Sequence, residues 1–397
     1  MRTQPLTLSF KSTPAEGGWL SKTAGYFVVF IMLGLARAVV GPTLPTLAGQ
    51  THVSLSAISL LFTATAVGGL IGSLLGGWLY DRVPGHPIVS AMMGVIIIIF
   101  FTIPAIPSLW LLIGLFLLLG IAEGAVDLGG NTLLMWLHRE KVGPFMNALH
   151  FFFGIGAFLS PLIVGWIIAE GGEITQAYWV IALLLLPVAV WFALLPSQAP
   201  HATSKTANAA PLNPVLVGAF ALFFFLYSGS EVAFGGLMYT YAMKLSITTP
   251  ARAAFLTSAF FGALTLGRLL SIPLAARLRP VLLLFGSLFG ALLNLALIAI
   301  FPRSLSMLWI AACGLGLSMA SVFPTTLSFS ERRMTLTGQV TGFFFVGGSL
   351  GVMSIPWLIG QAIESIGPQS MLIILLGCIM AAGAVLTGIC LKTRTHK

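Results

Sequence analysis

Twelve apolar runs, each long enough to cross a lipid bilayer as a helix, account for most of this 397-residue chain. They lie near 22–47, 55–80, 88–106, 109–137, 144–168, 177–195, 214–243, 251–275, 280–301, 305–329, 335–363 and 368–391. Roughly 20 helical residues cover the hydrocarbon core, and backbone amides that meet no water must bond inside their own segment. The runs are continuous rather than alternating, which selects helices over an outer-membrane barrel. Charged residues make up 7% of the chain and hydrophobic ones 58%, against about 25% charged in soluble domains. Such a chain lacks the polar surface to fold in water. The first twenty residues hold no short apolar stretch before a small-residue cleavage site, so no cleavable signal is expected.

The runs repeat. Gly34 and Gly229, Gly72 and Gly267, Arg82 and Arg277, Pro161 and Pro356, and Gly165 and Gly360 are each 195 residues apart. GSLLGGWLYDR at 72–82 lies over GRLLSIPLAAR at 267–277, and SPLIVGW at 160–166 over IPWLIGQ at 355–361. This register implies a duplicated unit. The segment PSQAPHATSKTANAAPLN at 196–213 is the long polar stretch inside the chain and reads as a flexible cytoplasmic linker. The expected architecture is an all-α membrane protein of twelve transmembrane helices in two pseudo-symmetric six-helix bundles, 1–195 and 214–397, with a cleft between them. Two similar halves can rock about whatever lies in that cleft.

The net charge of +9 is distributed as topology rather than as a nucleic-acid surface. With both termini inside, Arg2, Lys11, Lys22, Arg82, Arg139, Lys141, Lys205, Arg277, Arg279, Arg332, Arg333, Lys392, Arg394 and Lys397 fall on the cytoplasmic side, 14 of the 19 cations. Lys244, Arg252 and Arg303 fall outside, and Arg37 and Arg268 lie within helices. That is the positive-inside bias, which orients a multi-pass protein of the cell (inner) membrane with both termini cytoplasmic. The partners expected are the bilayer and a small solute, with no nucleic acid, and the unit expected is a monomer. Cys313, Cys378 and Cys390 have no metal-like spacing and read as small core residues.

A charge at the bilayer centre costs several kcal/mol unless it faces protein or water, so the acids within spans are informative. Glu123, Asp127 and Asn131 are spaced i, i+4, i+8 and share one face of the fourth helix. Counting about 1.5 Å per residue, Glu123 sits near mid-membrane and Asn131 about 12 Å nearer the cytoplasm. Arg37, roughly 22 Å up the first helix, reaches the same depth as Glu123, so an Arg37–Glu123 pair is allowed. His150 on the fifth helix is level with Asn131, and Asn147 lies one turn below it. At the repeat offset Glu123 meets Ser318, Asp127 meets Val322 and His150 meets Phe345; the second half instead supplies Glu231 and Arg268. The Arg37–Glu123 pair reads either as structural neutralisation or as part of a coupling site. His150 reads either as a solute or proton contact or as a hydrogen-bonded interior histidine. Arg268, after Gly267 in a packed repeat position, is structural or gating.

GWLYDRVPGH at 77–86 resembles the loop signature between helices two and three of the major facilitator superfamily, with Pro84 inserted and His86 in place of a basic residue. In that resemblance Asp81 and Arg82 act as a cytoplasmic gating clamp. Further stretches are similar to its sodium-dependent glucose transporter and fucose–proton symporter branch: AVVGPTLP at 38–45, VDLGGN at 126–131, ALHF at 148–151, FLYSGSEVAFGG at 225–236 and TLGRLLSIP at 265–273. The resemblance implies a sugar carrier whose membrane-embedded carboxylate takes a proton or sodium ion. By position, Asp127 is the coupling acid with Asn131 beside it, and Tyr227 and Glu231 contact solute. Two departures stand out: helix one has Val40, Gly41 and Pro42 where the symporters carry a second acid, and Glu123 is an added acid one turn before Asp127.

The function expected is secondary active transport of a small polar solute, a hexose or similar polyol, by alternating access. The candidate cation-coupling residues are Asp127, Glu123 and Arg37; the candidate solute contacts are Asn131, Asn147, His150, Tyr227, Glu231 and Trp136; the candidate gating residues are Asp81, Arg82 and Arg268. No cofactor and no metal are expected beyond a proton or Na+ as coupling ion. No phosphate-binding GxxxxGK[ST] occurs, so ATP does not drive it. The alternatives are an exporter of amphipathic drugs or lipids and a non-coupled sugar facilitator. GIGAFLSP at 154–161 is similar to the exporters' Gly-Pro motif, but LGIA at 119–122 lacks their helix-four arginine. An enzyme would need a nucleophile beside a base, and a sensor an appended domain; the sequence signals neither.

Overall fold

The computed structural model describes residues 18–197, 213–334 and 338–392. Most of the expected linker therefore lies outside the described residues, as do Arg2, Lys11, Lys205, Arg394 and Lys397. Among the described residues all regular structure is helical, and twelve spans are long and apolar enough to cross a membrane. In order they are span 1 (Gly18–Gln50), span 2 (Leu55–Tyr80), span 3 (Gly85–Ala105), span 4 (Leu109–His138), span 5 (Val142–Ala169) and span 6 (Ile174–Leu194). The second half follows with span 7 (Pro214–Lys244), span 8 (Pro250–Ala275), span 9 (Pro280–Ile300), span 10 (Leu305–Glu331), span 11 (Val340–Ser365) and span 12 (Ser370–Lys392).

Short connections make successive spans antiparallel, so Lys22, Arg82, Arg139, Lys141, Arg277, Arg279, Arg332, Arg333 and Lys392 gather on one face, called here the basic face. Polar contacts tie its span ends together. Thr23 bonds His138 at 2.8 Å, and the buried His86 meets the Tyr26 hydroxyl at 2.8 Å and the Leu195 carbonyl at 3.1 Å.

The repeat read in the sequence recurs as a repeat of packing. Gly34 of span 1 lies against Gly156 of span 5, and Gly229 of span 7 against Gly351 of span 11, each member of the second pair standing 195 residues after its counterpart. A Cβ on Gly34 would stand 3.0 Å from the Gly156 Cα, and one on Gly229 2.6 Å from the Gly351 carbonyl oxygen. Side chains are excluded because the backbones themselves touch, the way membrane helices without a hydrophobic drive gain contact. Span 2 packs on span 4 in one half and span 8 on span 10 in the other; spans 3 and 6 pair as spans 9 and 12 do.

Besides span 2, which divides at Ser59 into Leu55–Ile58 and Leu60–Tyr80, two spans are broken where the sequence predicts continuous helices. Span 1 divides into Gly18–Ala38 and Val40–Gln50, and span 10 into Leu305–Met319 and Val322–Glu331. In each a proline stands four residues beyond the break, Pro42 after Ala38 and Pro324 after Ala320, withdrawing the N–H that would bond that carbonyl. Proline is not sufficient, since Pro161 and Pro356 sit inside unbroken helices. At the first break Gly41 also presses on the second half, its hypothetical Cβ 2.8 Å from the Gly236 carbonyl.

The bundles meet through spans 1, 2 and 5 on one side and spans 7, 8 and 11 on the other. Their contacts concentrate away from the basic face. Gly41 packs on Gly236, Gly165 on Phe255, and Thr63 donates to the Met353 carbonyl at 2.7 Å. Gly154 against Thr265, near mid-span, is the innermost of these packed contacts. On the basic side of that level Asn147 and His150 are exposed. The halves are closed away from the basic face and part toward it.

Candidate functional site

Glycines bring span 4 close to span 2: Gly120 and Gly124 lie against the backbone of Thr65 and Gly69. On the adjoining face of the same helix Glu123 and Asp127 turn toward span 1. Arg37, just before the break in span 1, meets both: its Nε donates to Glu123 Oε2 at 3.3 Å and its Nη2 to Asp127 Oδ2 at 3.0 Å. Asn131 Nδ2 donates to Asp127 Oδ1 at 2.9 Å and to the Asp127 carbonyl at 2.8 Å. The depth match thus becomes a contact, and Arg37 reaches Asp127 as well. Its guanidinium carbon lies 5.7 Å from the Phe153 ring centroid, within cation–π range.

The two acids differ in exposure. Glu123 is 2% exposed, with Oε1 buried and without a hydrogen-bond partner. The Asp127 and Arg37 side chains are 32% and 35% exposed, at a depth where apolar lipid would be costly. They lie where the halves come together, within electrostatic reach of His150, as is Arg268 of the second half.

The second half supplies its own charge pair. Arg268 Nη2 of span 8 stands 3.5 Å from Glu231 Oε1 of span 7. One turn before Glu231, the Tyr227 hydroxyl contacts the Glu231 carboxylate and donates to the Met319 carbonyl at 2.9 Å. That carbonyl lies at the break in span 10. The sequence reading missed it, although Pro324 was the available signal. His150 joins the halves: it is exposed, sits within electrostatic reach of Asp127, Arg37 and Arg268, and sets its ring edge-on to Phe30 at 5.9 Å. The ion-paired groups are three carboxyls and two guanidiniums, a formal excess of one acid over the bases.

Other candidates lie apart from this group. Asn147 is exposed one turn nearer the basic face. Trp136 is nine residues from Asp127, about half a turn round the helix, and packs on the apolar core instead. Asp81 is exposed and closes span 2 without an ion pair among the described residues; Arg82 folds back over Trp78, 4.4 Å from its ring centroid, and donates to the Trp78 carbonyl. No group of three or more His, Cys, Asp or Glu placed to hold a metal occurs among the described residues.

The profile of the Major Facilitator Superfamily matches residues 26–356. The chain belongs to this superfamily. Its curated relatives include the sodium-dependent glucose transporter 1A of Mus musculus, 32% identical over 84% of this chain and 88% of that protein. Another is the Homo sapiens sodium-dependent glucose transporter 1, 30% identical over 83% and 71%. The major facilitator superfamily domain-containing protein 4A of Mus musculus is 26% identical over 91% and 90%. Among solved structures, the nucleoside transporter NupG superposes with a TM-score of 0.74 at 16% identity, covering 94% of this chain and 99% of that one. A bacterial homologue of the human lysosomal transporter Spinster gives 0.70 at 12%, covering 96% and 98%. These neighbours share the fold of twelve membrane-spanning helices. This major facilitator protein is a multi-pass membrane transporter of small-molecule solutes, not an enzyme.

Proposed function

We propose that this transporter carries a hexose or closely related polyol and couples its movement to a proton or sodium ion. The observation that carries the reading is the pair of charge clusters on opposite walls of one crevice, Arg37–Asp127–Glu123 and Arg268–Glu231–Tyr227. A sugar needs dense, preplaced donors and acceptors, because any polar group left unpaired in a closed site loses more than it gained. Tyr227, Glu231, Asn131 and His150 supply them, with Asn147 at the mouth. The excess acid, centred on Asp127 and Glu123 with Arg37 as its partial counter-ion, accounts for a cation that travels with the solute. Neutralising it removes a charge that resists burial when the crevice closes. The names of the glucose-transporting relatives support a sugar as cargo. We place the basic face in the cytoplasm by the positive-inside rule, so the crevice opens inward, with Arg268, Asp81 and Arg82 serving the gates.

A thermal-shift screen of sugars, with sodium or low pH as the second variable, tests this. Stabilisation by a hexose that grows with one cation is expected. A flat response to every sugar under every ion would remove the sugar assignment.

A further inference from the structure

On the face opposite the basic one lies a pocket of about 370 Å³ to which both bundles contribute. Its size falls within the roughly 300–1,000 Å³ of ligand sites. Pro45 of span 1 and Leu55 at the start of span 2 give it an apolar wall, while Thr240 and Lys244 of span 7 and Glu364 of span 11 give it polar groups. Lys244 and Glu364 are both exposed and form no ion pair with each other. Thr240 is 1% exposed, and its Oγ1 has no hydrogen-bond partner. A buried hydroxyl without a partner calls for an explanation. It is not alone: Ser160, Tyr241, Thr248 and Ser258 also hold buried partnerless oxygens, all in the parts of spans 5, 7 and 8 and their connection that lie away from the basic face.

We propose that this pocket is a second, outer docking site for a polyhydroxylated solute, occupied before the solute reaches the central crevice. The inference rests on the reading that the cargo is hydroxylated. The Glu364 carboxylate accepts from solute hydroxyls, the Lys244 ammonium donates to them, Thr240 Oγ1 gains a partner, and Pro45 and Leu55 cover a C–H face. Glu364 has a second role. It accepts from the Ser56 backbone N–H at 3.1 Å, while Gln361 Nε2 donates to the Ser56 carbonyl at 2.9 Å, which ties span 11 to the first bundle. A solute hydroxyl at Glu364 competes with the Ser56 bond, so docking loosens the closure that the solute must pass. The partnerless hydroxyls beyond it become wet as that side opens.

The test places a reporter at Gly49, which lines the pocket and has nothing within 4 Å of an added Cβ. Alkylation of Gly49→Cys by a polar maleimide is timed in the purified full-length protein with D-glucose, mannitol or glycine, after subtracting the rate without this substitution. Labelled glucose uptake by the same preparation in proteoliposomes runs beside it. A several-fold slowing by glucose or mannitol is expected, retained in a Glu231→Gln background and lost with Thr240→Val or Glu364→Gln. No protection by either polyol, protection by glycine alone, or protection abolished by Glu231→Gln would each overturn the outer site. Uptake without protection sinks this proposal alone. Protection without uptake leaves the site standing and sinks the sugar-transport reading.

Discussion

Tyr227 of span 7 hands its hydroxyl to the carbonyl of Met319, 2.9 Å away, at the point where span 10 breaks. The same hydroxyl contacts the carboxylate of Glu231. One phenolic proton thus stands between two acceptors, and a solute hydroxyl arriving at either one relieves the competition. The second bundle keeps its acid and its broken helix in one hydrogen-bonded unit.

Tyr227→Phe removes that link and leaves the Met319 carbonyl buried without this donor. The loss expected is about 1–3 kcal/mol of stability, read as a lower melting temperature, together with weaker sugar stabilisation. A variant that melts and binds like the wild type would show the link to be idle.

Glu231→Gln keeps the shape of the side chain but exchanges a carboxylate for an amide. A hydrogen bond to a charged group contributes about 1.5–3 kcal/mol, so solute affinity measured by tryptophan quenching or calorimetry falls about 10- to 100-fold. An unaltered constant would take Glu231 out of the solute site.

Arg37 serves two carboxylates, one of them fully buried. Arg37→Ala leaves the buried Glu123 carboxyl without its guanidinium partner, and stripping one member of a buried pair costs about 3–5 kcal/mol, less here because Arg37 is 35% exposed. The double variant Arg37→Ala/Glu123→Gln removes the stranded carboxyl and recovers most of the loss. Equal melting temperatures for the single and double variants would mean that Glu123 does not depend on Arg37.

The glycine crossings make a paired prediction. Gly156→Ala and Gly351→Ala both drive a Cβ into backbone, that of Ile31 and of Phe225, which cannot swing aside as a side chain can. Both variants should fall in folded yield and melting temperature, whereas Gly94→Ala, with nothing within 4 Å, should match the wild type. If Gly351→Ala is silent while Gly156→Ala is not, the two crossings are not equivalent.

Much of this arrangement is legible in the chain because membrane helices obey simple arithmetic. Apolar runs fix where spans begin and end, and the rise per residue fixes depth, which is how Arg37 and Glu123 could be matched across 86 residues. Depth says nothing of azimuth between helices, so the Glu231–Arg268 pair and the reach of Arg37 to Asp127 had no sequence signal. Azimuth along one helix is computable. The nine residues from Asp127 to Trp136 already place that ring on the far side, away from the polar face where a sugar-stacking role would put it. The break at Met319 depends on packing as well as on Pro324, since Pro161 and Pro356 bend no helix to breaking. Asp81 makes no ion pair among the described residues and Arg82 folds back on Trp78 of its own span, a local arrangement that the loop signature does not specify.

The decisive measurement is accumulation of labelled hexose in proteoliposomes under an imposed sodium or proton gradient, for the wild type and Asp127→Asn side by side. The wild type should concentrate the sugar above equilibrium, and Asp127→Asn should exchange it by counterflow yet fail to concentrate it. Undiminished concentrative uptake by Asp127→Asn would contradict the role given to the acids of span 4.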